Sequence, residues 1–481
     1  LIQNAADAVQ ARRKYQKRPP DWGLITVGLR AEGEQTWLVV EDNGIGMSEQ
    51  VLTGPLLDFG TSFWRSPLAM EEFPGLMAAG MHAIGRFGIG FFSVFMLGPV
   101  VRVYSRRCDK GQDTGRLLEF RGGTSTRPIL SPVSGDPVPI DGGTQVEVLL
   151  KHHPHEAGGL LHINSYSEQT MTLDALVGSV APNLNVAIEV MMQERAQQVI
   201  RPGDWLEISD FDLVRRLNPT LNRSEADVPK ADRALIQPIA DASGEVFGRA
   251  FISPTLYPFW GDGGWVTVSG LRAARLRNVQ GVLVGEAVTA ARDTARPLAT
   301  GKALAEWASK QAEMIVAIVK DEERQARSAE VVLECGGDIG ALKFIKWGTD
   351  WLMASEFEKR RSAATELTIS FGGEFDYDED QDEVHPKEFR EKFEIAEDIV
   401  LVLKHDGRIL TMPNSDWPGS VTGQPRWSDS NVAEHTRKLI RRVWGEDLQE
   451  DIEERIVGKV GYYDITRRVT VFSREAGDKP F

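Results

Sequence analysis

The sequence predicts an α+β fold in which helices cover one face of a mixed sheet. Three observations support this prediction. An alanine-rich helical segment opens the chain, two strands of alternating apolar residues follow it, and a glycine-rich turn further on leads into an apolar helix and more strands. Elements in this order pack as a two-layer sandwich. The length of 481 residues exceeds that of one ordinary core, so roughly two to four domains are expected.

Periodicity and chain breakers place the first elements. Residues 1–17 combine alanines with long polar side chains, and Pro19-Pro20 ends this predicted helix. Residues 25–29 alternate apolar with small or polar side chains, as a half-buried strand does. Residues 37–40 form a second predicted strand.

The region after this strand pair is less regular. Residues from about 48 to 84 show no clean period, and we predict a mobile segment there. A glycine-rich turn at residues 85–90 leads into a predicted apolar helix at residues 91–97. Further strands are predicted at residues 100–104, 117–121 and 144–150.

The second half of the chain has a different pattern of predicted strands and helices. Residues 265–268 and 279–284 are predicted strands, and residues 304–319 form a long predicted helix with apolar residues at helical spacing. Residues 374–383 include seven acidic side chains and predict an exposed loop or linker. A final α/β portion is predicted from residue 399 to the end.

Composition and charge argue against several classes of protein. The formal net charge of −15 disfavours a general nucleic-acid binder, so no nucleic-acid partner is expected. No stretch reaches the roughly 20 apolar residues of a membrane span, so no membrane partner is expected either. The two cysteines, Cys108 and Cys335, lack metal-ligand spacing and indicate a reducing compartment.

Four segments carry candidate site residues, and the first is the opening helix. Asn4 and Asp7 are three residues apart and lie on roughly the same helical face. A carboxamide oxygen can bind Mg²⁺ without adding charge, which leaves the metal available for phosphate oxygens. The alternative is an ordinary surface asparagine.

The second segment begins at Asp42, at the end of the second strand, and continues Asn-Gly-Ile-Gly-Met to Met47. A carboxylate at a strand end can accept a hydrogen bond from an adenine amino group. The glycines, Gly46 among them, let a base approach the backbone closely, and Met47 offers a polarisable apolar wall. The alternative is a simple Asp-Asn-Gly turn.

The third and fourth segments are glycine turns. Gly85 to Phe91 opens a helix, where exposed N–H groups and the helix dipole favour a phosphate. A dinucleotide fingerprint does not fit, because the turn follows no first strand and no acidic residue is placed to bind a ribose. Gly142-Gly143-Thr144 opens a strand, and the Thr144 hydroxyl can support Asp42 or a water. The alternative interpretation of this segment is an ordinary turn.

Together and in this order, these segments resemble the GHKL superfamily, named for gyrase, heat-shock protein 90, histidine kinases and MutL. Residues 84–95, Ile-Gly-Arg-Phe-Gly-Ile-Gly-Phe-Phe-Ser-Val-Phe, are similar to the HtpG-like heat-shock protein 90 family within it. So are residues 1–8, Leu-Ile-Gln-Asn-Ala-Ala-Asp-Ala. The resemblance is specific over residues 1–150 and implies a Bergerat-type α/β sandwich there.

The resemblance implies that ATP and Mg²⁺ are the ligands. Asn4 would hold Mg²⁺, Asp42 would bind the adenine amino group, and Thr144 would complete the adenine network. A lid at about residues 48–84 would close over the nucleotide. The implied nucleotide-binding residues are Asn4, Asp7, Asp42, Gly46, Met47, Gly85, Arg86, Phe87, Gly88, Ile89, Gly90, Phe91 and Thr144.

The implied catalytic base lies outside the sequence. In this family a Glu four residues before the Asn, one helical turn away, polarises the water that attacks the γ-phosphate. That position falls immediately before Leu1. We therefore expect a longer native chain to supply the Glu, and the sequence as given to bind ATP better than it hydrolyses it.

The resemblance also implies how the rest of the chain is organised. The predicted regions are an ATP-binding domain, a middle domain and an unassigned C-terminal α/β region, at residues 1–195, 196–330 and 331–481. In the family, the middle domain delivers an Arg to the γ-phosphate. The candidates here are Lys302, Arg292 and Arg296, with solvated surface cations as the alternative.

The implied function is that of an ATP-dependent molecular chaperone in the cytoplasm. ATP binding and hydrolysis would drive lid closure and the remodelling of client proteins, and homodimer formation would follow from the family. An alternative of a different class is an ATP switch module that controls a non-chaperone effector or assembly. The unfamiliar sequence of residues 331–481 favours that alternative.

Overall fold

The computed structural model describes residues 1–60, 62–80, 90–133, 135, 137–164, 167–192, 195–219, 234–254, 264–287, 295–403, 405–410, 431–445 and 448–473. The chain forms two units. One comprises Leu1–Asp227, Trp265–Ala274 and Val284–Pro297, and the other Val228–Gly264, Arg275–Leu283 and Leu298–Phe481. The domain limits at residues 195 and 330 remain predictions.

The first unit contains an eight-stranded sheet and a two-stranded one. Their strands, in chain order, are β1 Leu24–Glu32, β2 Gln35–Asp42, β3 Val100–Arg106, β4 Arg116–Phe120, β5 Ile129–Pro132, β6 Gly143–Leu149, β7 His162–Asn164, β8 Ser167–Thr170, β9 Ala187–Met192 and β10 Arg195–Ile200. The large sheet has the order β10-β9-β1-β2-β6-β3-β4-β5, and β7 pairs with β8. Because β1 is antiparallel to β2 and parallel to β9, the large sheet is mixed, as predicted.

The structure describes five helices in this unit, and two of them share one face of the large sheet. The five are α1 Ile2–Gln16, α2 Glu49–Thr53, α3 Pro67–Glu72, α4 Leu173–Val180 and α5 Asp210–Leu217. Ala5, Ala6 and Val9 of α1 join the same apolar cluster as Leu173 and Val177 of α4. This shared cluster places α1 and α4 on the same side of the sheet, which confirms the predicted two-layer arrangement.

The apolar helix predicted at residues 91–97 is a 3₁₀ helix, Phe91–Met96. Residues three apart in a 3₁₀ helix lie on one face. Phe91 and Val94 are both buried on that face, whereas Met96 is exposed. The tighter helix therefore aims two large side chains at the core within a single turn.

Short helices form in the segment that shows no clean sequence period. Besides α2 and α3, it contains the 3₁₀ turn Phe63–Arg65. Phe73 and Leu76 are buried in a cluster with Ala11 of α1 and Ile45. Helices of five or six residues are too short for sequence periodicity to reveal, and tertiary contacts stabilise them instead.

The rest of the chain contains further strands and helices. The strands are β11 Gln237–Ala240, β12 Val246–Ile252, β13 Gly264–Val268, β14 Leu271–Arg275, β15 Val279–Ala287, β16 Ala295–Pro297, β17 Ile345–Trp347, β18 Asp350–Leu352, β19 Glu366–Ser370, β20 Phe393–Ile395, β21 Ile399–Val402, β22 Gln449–Val460 and β23 Tyr463–Ser473. The helices are α6 Gly301–Ile318, α7 Glu322–Glu334, α8 Ala354–Arg361, α9 Pro386–Lys392 and α10 Asn431–Trp444. The predicted strands at 265–268 and 279–284 and the predicted helix at 304–319 correspond to β13, β15 and α6.

The second unit contains a seven-stranded sheet of order β18-β17-β21-β19-β23-β22-β20. The acidic tract, residues 374–383, is a loop beside this sheet, as predicted. It is not wholly exposed, since Asp382 is buried and paired with Arg467 of β23. Among the helices that the structure describes, none is both long and apolar enough to cross a membrane.

Candidate functional site

Three neighbouring strands of the large sheet carry a polar residue at the same edge of the sheet and on the same face. Asp42 ends β2, Thr144 lies opposite it near the start of β6, and Ser105 of β3 lies opposite Thr144 on the other side. The apolar residues behind them on these strands contribute to the main core cluster: Leu38, Val40, Val101, Val103, Val146 and Val148. Strand alternation thus turns all three polar side chains toward the α1 face.

Asp42 is buried, with only 6% of its surface exposed. Its Oδ1 accepts a hydrogen bond of 2.8 Å from the amide of Gly44, and the amide of Thr144 also donates to the carboxylate. Burial raises the pKa of the Asp42 carboxyl to about 8, although both backbone hydrogen bonds act in the opposite direction. The side chain is therefore a buried acceptor close to a protonation equilibrium near neutral pH.

Ser105 connects Thr144 to the loop after β2. Its Oγ lies 2.9 Å from Thr144 Oγ1 and accepts a 2.9 Å hydrogen bond from the amide of Met47. Ser105 is absent from the residues predicted from sequence. The available signal was its position, because it continues the inward row of Val101 and Val103 with a buried polar residue.

The loop after β2 passes close to α1 and to the end of β3. An added Cβ at Gly44 would lie 2.5 Å from the backbone of Ala8, and one at Gly46 would lie 1.9 Å from the carbonyl oxygen of Arg106. Gly46 also has φ +70, a conformation that favours glycine. Glycine at these two positions therefore allows the loop to pack against its neighbours.

Of the residues predicted to hold metal and phosphate, the structure describes Asn4 and Asp7 of α1, and Gly90 and Phe91 where the 3₁₀ helix begins. Asn4 is exposed on the first turn of α1, and its Oδ1 is 3.8 Å from the position of an ideal Cβ at Gly90. Asp7 is buried one turn further on. The Phe91 ring packs in the core against Phe120, so only the backbone of Phe91 remains a candidate for phosphate contact.

An ion pair of largely buried side chains links the segment predicted to be a lid to the residue after β3. Glu72, the last residue of α3, forms an ion pair with Arg107 at 3.3 Å and accepts a hydrogen bond from Ser48. Arg107 also donates to the Glu72 carbonyl and lies 4.4 Å from the centre of the Phe73 ring. The next residue, Cys108, donates its amide to the Ile45 carbonyl at 3.0 Å. Consecutive residues after β3 therefore hold both this segment and the loop after β2.

The remaining predicted residues fall into two groups, those outside the described residues and two cations of the described part. Gly85, Arg86, Phe87, Gly88, Ile89 and Arg292 lie outside the described residues. Arg296 pairs with Glu286, and Lys302 lies 3.8 Å from Glu306. Both cations are largely exposed, as the surface-cation alternative expects, and a contact with phosphate remains a prediction.

Two cavities of the first unit border these elements. Met47 lines one of about 480 Å³, together with Ser48, Glu72 and Arg107. The other, of about 570 Å³, is mainly apolar and is lined by residues of β1, β2, α4 and the start of α1. Of the predicted site residues that the structure describes, Met47 alone lines one of these two cavities.

Comparison with known proteins matches residues 1–118 to the family described as histidine kinase-, DNA gyrase B-, and HSP90-like ATPase. This match covers the strand end at Asp42, the loop after it and α1. The N-terminal part of the chain is therefore an ATPase domain of the GHKL class.

Within that class, the chain is similar to heat-shock protein 90 chaperones, which confirms the predicted resemblance. The chaperone protein HtpG of Nocardia farcinica is 33% identical over 176 residues, 35% of this chain and 25% of that protein. HtpG of Azorhizobium caulinodans is 39% identical over 130 residues, 25% of this chain and 19% of the relative. The mitochondrial heat shock protein 75 kDa of Bos taurus is 32% identical over 124 residues, 26% of this chain and 17% of the relative. Each match thus spans a quarter or less of the relative's length.

Proposed function

We propose that this protein is an ATP-dependent molecular chaperone of the heat-shock protein 90 type. The observation that carries the proposal is the buried carboxyl of Asp42, which backbone N–H groups hold beside Thr144. A buried acceptor favours a ligand that donates a hydrogen bond to it, and the amino group of adenine is such a donor. The GHKL-class match over residues 1–118 supports the same ligand.

The phosphates are proposed to lie toward Asn4 and Gly90. Mg²⁺ takes few protein ligands and completes its shell with phosphate oxygens and water, so one exposed carboxamide oxygen fits its requirements. Among the described residues, no three His, Cys, Asp or Glu side chains come together as a metal site of their own. The proposed Mg²⁺ is therefore one that binds together with the nucleotide.

Binding of the γ-phosphate is proposed to draw the lid, residues 48–84, over the nucleotide, and hydrolysis to release it. The anchoring of this segment through Glu72 and Arg107 supports a defined resting position. Client proteins, a homodimer and a cytoplasmic location are proposed by analogy with the HtpG relatives alone.

The alternative function is an ATP switch that controls a non-chaperone effector or assembly. It is favoured by the extent of the matches, which cover 35% of this chain for the N. farcinica relative and 25% for that of A. caulinodans. In this alternative, residues beyond the matched part would define what the nucleotide controls.

The first test is a calorimetric titration of the full chain with Mg²⁺–ADP. We expect wild type to bind and Asp42→Asn to lose affinity by about a hundredfold or more, because the amide NH₂ would face the adenine amino group. Asp21→Asn, a change at an exposed residue of the same unit, is the matched control and should bind as wild type does. Absence of binding by wild type would reject the nucleotide proposal.

A second test separates the chaperone from the switch. The chain is added to several unfolding model proteins, with and without a non-hydrolysable ATP analogue, and their aggregation is followed by light scattering. Nucleotide-dependent suppression that Asp42→Asn abolishes supports the chaperone. Nucleotide binding without any effect on aggregation supports the switch.

A further inference from the structure

Arg12 lies in the interior of the first unit, although arginine is seldom buried. It is on the last part of α1, and only 4% of its surface is exposed. Its Nε donates to Gln16 at 3.1 Å, which holds the side chain along the helix. A buried guanidinium must find acceptors for its N–H groups, and the positions of those acceptors show what the side chain holds together.

The acceptors belong to two separate loops. Arg12 Nη1 lies 2.8 Å from the carbonyl oxygen of Asn43 and 3.4 Å from that of Gly44, both in the loop after β2. The same nitrogen lies 3.3 Å from the carbonyl oxygen of Gly142, in the turn before β6. One loop follows Asp42 and the other precedes Thr144, so a single cation joins the two backbones that flank the site.

We infer that Arg12 is a positioning residue of the nucleotide site, which fixes the two loops that flank Asp42 and Thr144. This inference rests on the proposed function. It concerns a residue that touches the backbone around the site and not the nucleotide itself.

Arg12 also has an electrostatic effect on Asp42, because its positive charge favours the ionised carboxylate. Burial is the largest effect on the pKa of Asp42 and raises it, and Glu41, on the same strand, raises it further. Arg12 acts in the opposite direction and lowers the pKa of Asp42. Around Arg12 itself, burial is the largest effect and lowers its pKa, while Cys108 and Asp141 oppose this effect and Arg18 and Arg106 add to it. Arg12 is the cation that acts on Asp42 from the helix packed against it.

Neighbouring arginines are engaged elsewhere. Arg13 donates to the carbonyls of Trp22 and Asn185, at 2.5 Å and 2.8 Å. Arg106 donates to the carbonyls of Lys110 and Pro139, at 2.6 Å and 3.1 Å. Neither arginine contacts the loop after β2 through these bonds. If Arg12 is removed, these bonds therefore do not replace its hydrogen bonds to the carbonyls of that loop.

The test compares Arg12→Met, Arg12→Lys and Arg18→Met in the full chain. Arg18 is exposed and, like Arg12, its guanidinium lies beside the Trp22 ring, so Arg18→Met is the matched control. The measurement is the dissociation constant of Mg²⁺–ADP between about pH 7 and pH 9.5, where the diphosphate no longer titrates. Thermal unfolding in the absence of nucleotide verifies that each variant is folded.

We expect Arg12→Met to bind about tenfold or more weakly and the midpoint of its pH dependence to move to higher pH. Arg12→Lys should keep the wild-type midpoint, since the charge remains, but bind several-fold more weakly because an ammonium lacks the planar fork. Arg18→Met should match wild type. If Arg12→Met does not fold, Arg12→Lys decides alone, and wild-type affinity in it overturns the inference.

Two failures are distinguishable. If wild type binds no nucleotide, the proposed function fails and the inference with it. If wild type binds, while folded Arg12→Met matches it in both affinity and pH midpoint, the proposed function stands and Arg12 has no positioning role.

Discussion

Asp42 and Thr144 lie opposite each other on β2 and β6, and the backbone N–H of Thr144 donates to the Asp42 carboxylate. A second backbone N–H, that of Gly44, donates to the same carboxylate. These bonds favour the ionised carboxyl, yet burial outweighs them and raises the pKa of Asp42 to about 8. The site therefore holds an acceptor whose charge costs stability when no ligand is bound.

The pKa of Asp42 predicts a pH dependence of stability in the absence of nucleotide. Between the ordinary value of 3.8 and about 8, the folded carboxyl keeps a proton that the unfolded chain has released. Raising the pH through this range therefore favours unfolding, and the contribution levels off above about pH 8. We expect the stability of wild type, relative to Asp42→Asn, to fall as the pH rises from 5 to 8.5.

The measurement is the difference in unfolding midpoint between the two proteins at each pH, since other titrating groups cancel in the difference. Asp21→Asn, at an exposed position, should track wild type at every pH. A difference between wild type and Asp42→Asn that is constant across this range would contradict the raised pKa.

Gly46→Ala is expected to destabilise the first unit by about 3 kcal/mol or more. The new Cβ would meet the Arg106 carbonyl oxygen at 1.9 Å, and the residue would have to keep φ +70. Gly33→Ala is the control, because Gly33 has φ +62 with nothing near its Cβ position. It should cost only the backbone term, about 1 kcal/mol. The free energy of unfolding is measured with denaturant. Equal decreases in the two variants would show that the loop after β2 moves to accommodate the new Cβ at no energetic cost.

Much of this site is predictable from local sequence, and the reasons are specific. Asp42 ends an apolar strand and enters a glycine-containing loop, and Gly142-Gly143 before Thr144 is a recognisable turn. α1, β1, β2 and β3 follow from alanine content and alternation, because those patterns report directly on which face is buried. The fold class follows from the order of these elements.

The rest depends on contacts distant in sequence. Arg12 lies 130 residues from Gly142, and nothing near Arg12 in the chain indicates that its guanidinium is buried. Ser105 acquires its importance from Met47 and Thr144, which the sheet register brings to it. The short helices α2 and α3 likewise depend on tertiary burial of Phe73 and Leu76.

Arg107→Met is expected to loosen the segment predicted to be a lid. The change would remove the cation that pairs with Glu72 and covers Phe73, leaving a largely buried carboxylate without its cation. Breaking a buried pair on one side typically costs about 3–5 kcal/mol. We expect faster amide hydrogen exchange across residues 48–80, measured by mass spectrometry on the nucleotide-free chain.

Glu71→Gln supplies the control for this experiment. Glu71 is exposed, one residue before Glu72, so its charge should not hold the segment in place. Exchange in Arg107→Met no faster than in Glu71→Gln would show that apolar packing alone fixes the segment.

The buried pair Asp382–Arg467 predicts acid sensitivity of the second unit. Arg467 donates to Asp382 Oδ1 at 2.8 Å and to Oδ2 at 2.5 Å. Burial alone would raise the pKa of Asp382, but the hydrogen bonds from Arg467 and from the amide of Asp378 lower it below its usual value. This stabilisation is fully present above about pH 4 and is lost as the pH falls through the unfolded and then the folded pKa.

Asp382→Asn should therefore destabilise the second unit by about 3 kcal/mol at pH 7, and the difference from wild type should shrink below about pH 4. Asp380→Asn, in the same acidic tract but exposed, removes one charge without breaking a buried pair. Denaturant unfolding at pH 7 and pH 3 measures both variants. If Asp382→Asn is no less stable than Asp380→Asn at pH 7, the tract acts only through its total charge. A loss confined to Asp382→Asn shows that one carboxylate attaches an acidic loop to β23, because its ion pair with Arg467 is shielded from water.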